Sequence, residues 1–426
     1  MWLNLEDKMV SGSDLSTFRH LKKIYRRVFS FGNSIFVGSN SFFPSINELV
    51  AVGSLLTFLL AVTCAYFYLF PNSHQIARGY AIPSSVYSIG KCNLFEGKWV
   101  IDGSYPLYNA SECPFAEQGF NCLANGRKDE GYLKWRWKPK NCDIPRFNVH
   151  VILEHLRGKR LVFVGDSLSR TQWESLICML ITGIADKKAV YEVNGNQITK
   201  QIRFLGVKFS TYDFTVEYYR SVFLVLPGPP PRQAPKRVKS TLRLDKLDDV
   251  SKEWADADIL IFNTGHWWTK TKLFQMGSYF QMNGSLKLGM PIMTAFEKAL
   301  NAWASWVDSA VNPNKTLIFF RTFESSHWSG GKRNTCKVSR HPMSRTKGRE
   351  RSPISDIIIK VVKNMSAHVT PLHVTPMVAY RSDAHVGTWS DDPTVPDCSH
   401  WCLPGVPDMW NEILFTYLLD KGGISP

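Results

Sequence analysis

An α/β domain of three layers around a mostly parallel sheet is the fold this chain predicts, and three observations carry it. The first is Leu161–Gly165, LVFVG, an unbroken apolar run of the kind a strand buried on both faces requires. The second is the helical pattern that follows in Leu168–Leu180, LSRTQWESLICML, with Leu168, Trp173, Leu176, Ile177 and Leu180 on its apolar side. The third is the alternation of short apolar runs with longer amphipathic ones from Arg160 onward, because parallel strands need crossover helices.

Taken in order, residues 1–48 read as a polar, basic tail. Leu49–Phe70 carries no charge and reaches the roughly 20 residues a membrane-spanning helix needs. It begins too late and runs too long for a cleaved signal peptide, and a buried core helix is the alternative. Arg19, Lys22, Lys23, Arg26 and Arg27 precede it, against Arg78 alone just after it. That bias predicts a single-pass type II membrane protein with the tail cytosolic and everything beyond it in a lumen.

The cysteines agree with this placement. Cys64 falls inside the span, while Cys92, Cys113, Cys122, Cys142, Cys178, Cys336, Cys398 and Cys402 form an even set beyond it, as disulfide pairing needs. Glycosylation sequons at Asn109, Asn283, Asn314 and Asn364 lie on the same side.

Residues 71–91 read as a stem, and 92–148 as a cysteine-rich lobe of loops packed on the main domain, with a separate lectin-like module as the alternative. The main domain is expected over 149–426. Strands are predicted at Ser221–Leu226, Ile259–Phe262, Thr316–Phe320 and His373–Thr375, and helices at Met290–Asp308, Ser355–Val362 and Val406–Leu419. Pro407 suits the first turn of the last helix. Pro227–Lys239 and Arg333–Arg351 read as basic loops, and no internal repeat is visible.

At 44% hydrophobic residues, the 426-residue chain has enough apolar content for one large domain or two ordinary ones. A formal charge of +15 serves solubility or draws acidic partners; no module that reads nucleic acid is present, so nucleic acid is not expected among them.

Chemistry concentrates at two places. Gly165-Asp166-Ser167 sits on the turn from strand to helix, where an open α/β sheet holds ligands and nucleophiles at its carboxyl edge. A serine needs a base, and Asp397 and His400 in PDCSHWCLP supply a carboxylate spaced to orient an imidazole. Either motif alone arises by chance; the two in this order, the second just before the terminal helix, are informative. Ser167 N–H and the Asn263 side chain, after strand Ile259–Phe262, are candidate donors to an oxyanion, with a plain turn cap as the alternative for Asn263. Asp166 braces the turn, and Arg170 is spaced to pair with Glu174.

His266, Arg321 and His327 are candidates to line the groove, and Trp267, Trp268 and Trp401 to stack on sugar rings or fill the core. Asp256 and Asp258 imitate a metal-binding DxD but precede a strand rather than follow one. Cys398, His400 and Cys402 imitate a zinc site, but a lumenal setting favours disulfides, so no metal is expected.

The stretches CNLFEGKWV, YPLY, WRWKPKNCDIPRFN, GDSLSRTQWESL, NTGHWW, FRTFESSHW and DCSHWCLPGVPDMWNEIL resemble the plant trichome birefringence-like family of polysaccharide O-acetyltransferases, over Cys92–Leu419. The Ser167 and Asp397/His400 pair is similar to the SGNH/GDSL hydrolase arrangement. The resemblance implies an SGNH-hydrolase-like domain and a Golgi-anchored enzyme that moves acetyl groups onto xylan, mannan, xyloglucan or pectin through an acetyl-Ser167. It implies no bound cofactor, an acetyl donor of unknown identity and a cell-wall polysaccharide acceptor. An acetylesterase with the same residues, or a non-catalytic wall-polymer-binding protein, are the rival readings. Expected disulfides are Cys92 with Cys142 and Cys113 with Cys178, while Cys122 and Cys336 reach Cys402 and Cys398. The chain departs from the family pattern at Gly331–Cys336 and in the basic residues that follow to Arg351, which points to an acceptor bearing uronic acids.

Overall fold

The computed structural model of the protein describes residues 92–329, 335–388 and 394–421, together with residues 53, 54, 57, 60, 88 and 89. The chain divides into two units, Met1–Ala81 and Ile82–Pro426. In the first, the few described residues are helical. No helix among the described residues is long and apolar enough to cross a membrane; the span expected at Leu49–Phe70 lies almost wholly outside them.

The second unit opens with strands β1 (Ser88–Ile89) and β2 (Cys92–Asn93) and a hairpin of β3 (Gly97–Ile101) and β4 (Trp135–Pro139). Helix α1 (Val149–His155) leads into β5 (Arg160–Gly165) and α2 (Ser167–Ile181), followed by β6 (Val190–Glu192), β7 (Phe204–Phe209) and β8 (Phe214–Arg220). Strands β9 (Val225–Gly228), β10 (Ser240–Leu247), β11 (Ile259–Phe262), β12 (Ser278–Met282) and β13 (Ser285–Lys287) come next, then α3 (Ile292–Ala310) and β14 (Leu317–Arg321). The chain closes with α4 (Pro353–Lys363), β15 (Val369–Leu372), α5 (Thr375–Val378), the hairpin β16 (His385–Thr388) and β17 (Pro396–Trp401), and α6 (Val406–Lys421).

The main sheet has seven strands in the order β15-β14-β11-β5-β8-β7-β6. From β15 to β8 every pairing is parallel, and β7 and β6 add an antiparallel edge. The period-two geometry of β5 explains the layers. Leu161 and Phe163 join one buried cluster with residues of α1, α2 and α6, whereas Val162 and Val164 join the other with residues of α3 and α4. Helix α2 is buried on all sides from Leu168 to Ile181, so its sequence shows little of the one-sided pattern of a surface helix.

Two expected strands are displaced. The run Ser221–Leu226 is a corner rather than a strand: β8 ends at Arg220, Leu224 takes a left-handed φ of 62°, and β9 starts at Val225. Leu224 and Val225 fill the core at the bend, while FTVEYYR pairs with β5. The last strand of the main sheet is β15, VTPL, not His373–Thr375, where the chain is already turning into α5. Pro371 disguises β15, but an edge strand tolerates a proline. A four-stranded sheet, β13-β12-β10-β9, was not legible either.

Disulfides and buried acids join residues 92–148 to the body. Cys113–Cys178 reaches α2 and Cys122–Cys402 reaches the start of α6, while Cys92–Cys142 closes within the lobe. The Tyr105 hydroxyl donates to the Glu412 carboxylate at 2.8 Å, and the Tyr108 hydroxyl to Asp408 Oδ1 at 3.1 Å. Burial pushes both carboxyls up to about 7, with their hydrogen bonds pulling the other way.

Two outcomes follow from these contacts. Because the folded pKa of Glu412 is raised, its protonation stabilises the fold below about pH 4, and that contribution is lost as pH rises through about 7. Urea midpoints of Glu412→Gln should therefore gain on the wild type between pH 4 and 7.5, by ~3 kcal/mol in all, and a pH-independent difference would contradict this. At Gly165, an added Cβ would lie 1.9 Å from Asn263 Oδ1 and 2.7 Å from the Asn263 carbonyl oxygen. Gly165→Ala should cost ~1–3 kcal/mol in the same unfolding assay.

Candidate active site

Strand β5 delivers Ser167 to the first position of α2, at the carboxyl edge of the sheet. Asp166 is the N-cap: its Oδ1 accepts the Leu168 N–H at 2.9 Å, a contact worth about 1 kcal/mol to the helix. Asn263, just past β11, clasps the same turn. Its Oδ1 accepts the Asp166 N–H at 3.2 Å and its Nδ2 donates to Asp166 Oδ1 at 3.0 Å.

The hairpin β16–β17 brings in the second group. Asp397 Oδ1 accepts the N–H groups of Ser399 and His400 at 2.8 and 3.1 Å, and Oδ2 lies 2.6 Å from His400 Nδ1. A carboxylate can only accept, so Nδ1 carries the proton and Nε2 presents a lone pair. That lone pair faces Ser167 Oγ at 2.7 Å. Burial raises the Asp397 carboxyl, but His400 and the backbone N–H donors outweigh it and hold the pKa well below the usual carboxylate range. Asp397 therefore stays ionised whenever the imidazole is present as a partner.

Two disulfides staple this hairpin, Cys336–Cys398 on one side of His400 and Cys122–Cys402 on the other. The cysteines that imitate a zinc site are thus bonded to other cysteines. Asp258 of the DxD imitation accepts the Arg160 N–H at 2.8 Å, at the opposite end of the strands from Ser167.

Several sequence candidates are placed elsewhere than expected. Arg321 is fully buried, pairs with Glu324 and stacks on Trp410, so it cannot line a groove. Burial pushes its pKa down while Asp166 pulls it back. His327 is buried too, with Nδ1 2.7 Å from His385 Nε2 and Nε2 2.9 Å from the Ala379 carbonyl. Burial pushes its pKa down to about 4. Trp268 and Trp401 are core residues: the first donates to Thr264 Oγ1 and the second stacks on His385 at 3.9 Å. Arg321 and Trp401 lie in strands buried in the body, and Trp268 and His327 in the segments that follow β11 and β14, where each side chain finds a buried partner. Trp267 is half-buried, with Lys272 Nζ 4.6 Å from its ring centre. His266 is half-buried, 3.1 Å from Glu324 and stacked on Phe323.

Arg170 is buried in pairs with Glu174, at 2.5 Å, and with Glu117. Burial pushes the Glu174 carboxyl up to about 8 against the pull of Arg170. The guanidinium lies over the Phe120 ring at 5.1 Å, and that ring in turn stacks on His400 at 5.7 Å. Phe120 and Glu117 escaped the sequence reading. The signal that could have found Phe120 is its place two residues before Cys122, whose bonded partner follows His400 by two.

Ser167 and Asn263 also keep hydrogen-bond donors at this turn. No partner accepts the Ser167 N–H among the described residues, and the Asn263 amide has a second hydrogen beyond the one given to Asp166. The arrangement can take a proton from Ser167, hold the resulting imidazolium against Asp397 and stabilise an oxyanion.

Residues 144–417 match the GDSL/SGNH-like acyl-esterase family found in Pmr5 and Cas1p, and residues 90–143 match the PMR5 N-terminal domain. The chain is 60% identical to trichome birefringence-like 7 of Arabidopsis thaliana over 374 residues, covering 87% of this chain and 84% of that protein. It is 44% identical to trichome birefringence-like 6 of the same plant, covering 78% of this chain and 72% of the relative. With trichome birefringence-like 9 it shares 44% identity, over 77% of this chain and 84% of the relative. The chain belongs to the trichome birefringence-like family and carries its GDSL/SGNH-like acyl-esterase domain.

Proposed function

We propose that this chain is an O-acetyltransferase that moves acetyl groups onto hydroxyls of a cell-wall polysaccharide through an acetyl-Ser167 intermediate. One observation carries the reading: a single imidazole joins Ser167 Oγ at 2.7 Å to the Asp397 carboxylate at 2.6 Å.

In the first step Ser167 Oγ attacks the acetyl carbonyl carbon while its proton passes to His400 Nε2. The tetrahedral oxyanion takes hydrogen bonds from Ser167 N–H and Asn263 Nδ2. Its collapse breaks the bond to the donor's leaving group, which leaves with the proton from His400. In the second step a sugar hydroxyl gives its proton to His400 and attacks the acetyl-serine, and Ser167 leaves with that proton. Asp397 stabilises the imidazolium in both steps without itself taking the proton.

Whether sugar or water reaches the acetyl-serine separates a transferase from an esterase. The reading also places the chain in the Golgi membrane as a single-pass type II protein, supported by the uncharged run Leu49–Phe70 and the sequons beyond it. No bound cofactor or metal is needed by the mechanism.

The test is the purified chain with an acetyl donor and glycan oligomers. Acetyl gain on the glycan supports transfer, whereas free acetate alone supports hydrolysis. Ser167→Ala should remove both the acetyl-enzyme seen by mass spectrometry and the activity, and Asp397→Asn should lower kcat by about four orders of magnitude. Unchanged activity in Ser167→Ala would end the assignment. Phe120→Ala should loosen the imidazole plane and lower kcat about tenfold to a hundredfold at little change in KM, with Phe120→Tyr restoring it. A change confined to KM would contradict that positioning role.

A further inference from the structure

A cavity of about 690 Å³ opens between the segment after β14 and the loop that precedes α4. Phe323 and Ile354 give it an apolar wall, and Lys347, Arg349 and Arg351 line it with positive charge. Among the described residues none of these three cations is in an ion pair. The acid between them in sequence, Glu350, accepts the Thr346 hydroxyl, and Arg351 adds a weaker charge attraction to it. The loop is shaped to present these charges. Lys347 and Gly348 take consecutive left-handed conformations, at φ 54° and 83°, which a lysine rarely adopts. The Ser325 hydroxyl fastens the next residue by donating to the Arg349 carbonyl at 2.8 Å.

The cavity adjoins the reaction centre. Ser326 lines it, and the Ser326 hydroxyl is 3.1 Å from that of Ser399, the neighbour of His400 in the chain. Phe323 stacks on His266 at 4.5 Å, so the apolar wall extends toward that side chain. Helix α4 begins at Pro353 on the cavity's edge, and the Ser352 side chain makes no cap bond, so the positive end of the helix adds to the cations.

We propose that this cavity holds a carboxylate-bearing sugar unit of the acceptor, which makes the substrate class an acidic glycan containing uronic acid residues. The inference rests on the acetyl-transfer reading above. A sugar ring offers an apolar C–H face to Phe323 and Ile354, and its carboxylate meets the planar donor forks of Arg349 and Arg351. A neutral glycan would leave Lys347 and Arg349 without a counter-charge and Arg351 with only the distant pull of Glu350. The basic excess that remains beyond residue 48 steers a polyanionic chain toward the protein before it docks.

The experiment gives the full-length chain in detergent p-nitrophenyl acetate as acetyl source and, in parallel, oligogalacturonides or neutral xylo-oligosaccharides as acceptors. Acetyl gain is read by mass spectrometry at low and high salt. Acidic oligomers should be preferred by about fivefold or more in kcat/KM at low salt. The preference should shrink as salt rises. It should vanish in the double variant Arg349→Gln with Arg351→Gln and persist in Lys298→Gln, which removes one exposed charge from α3. Arg349→Lys with Arg351→Lys, which keeps the charge, should retain part of it, and melting curves matching the wild type exclude misfolding as the cause. Equal acetylation of acidic and neutral oligomers, or an acidic preference that survives the double glutamine variant, overturns the inference while leaving acetyl transfer intact. Failure to form acetyl-Ser167 at all overturns the transfer reading instead.

Discussion

Everything at this site depends on how the Asp397 carboxylate is held. One oxygen is taken by two backbone N–H groups of its own turn, which leaves the other to face His400 Nδ1. The turn therefore fixes the carboxylate before the imidazole arrives, and the carboxylate fixes which imidazole nitrogen is bare. The position of Ser167 is set separately, by a strand end, an N-cap and the Asn263 clasp. Catalysis on this scheme is a matter of two rigid turns meeting, not of one reactive loop.

The meeting is enforced by residues 92–148. Their Phe120 backs the imidazole, and the Phe120 carbonyl accepts the Leu403 N–H at 2.8 Å, beside the Cys122–Cys402 bond. Arg127 donates to the carbonyls of Asp383 and His385 at 2.6 and 3.3 Å, at the start of the same hairpin. Arg381 pairs with Asp383 through both carboxylate oxygens and also donates to the Tyr132 carbonyl. Charges buried this deeply stabilise little in net terms, since desolvation offsets most of the attraction. What they add here is geometry: a misdocked lobe would forfeit the bonds from Arg381 to the Tyr132 carbonyl and from Arg127 to the hairpin carbonyls.

Much of this was readable beforehand because it rests on local rules. The strand LVFVG, its turn and its helix follow from periodicity, and Asp-x-x-His follows from spacing. Inward or outward direction was not readable. Arg321 and His327 have the composition of groove residues yet are buried, and of the two readings open for Trp268 and Trp401 the structure takes the core. The corner at Leu224 and the proline in β15 were hidden for a related reason, since tertiary packing there overrides propensity. Phe120 could be found only through the partner of a cysteine.

The hairpin that carries His400 is stapled at both ends of its active segment, by Cys336–Cys398 before the imidazole and by Cys122–Cys402 after it. The chemistry of the site is thereby tied to the redox state of its surroundings, although no sulfur takes part in the reaction. A chain whose thiols are still free holds every reacting group but lacks the two cross-links that flank His400. Oxidation is thus what closes the two cross-links on either side of His400.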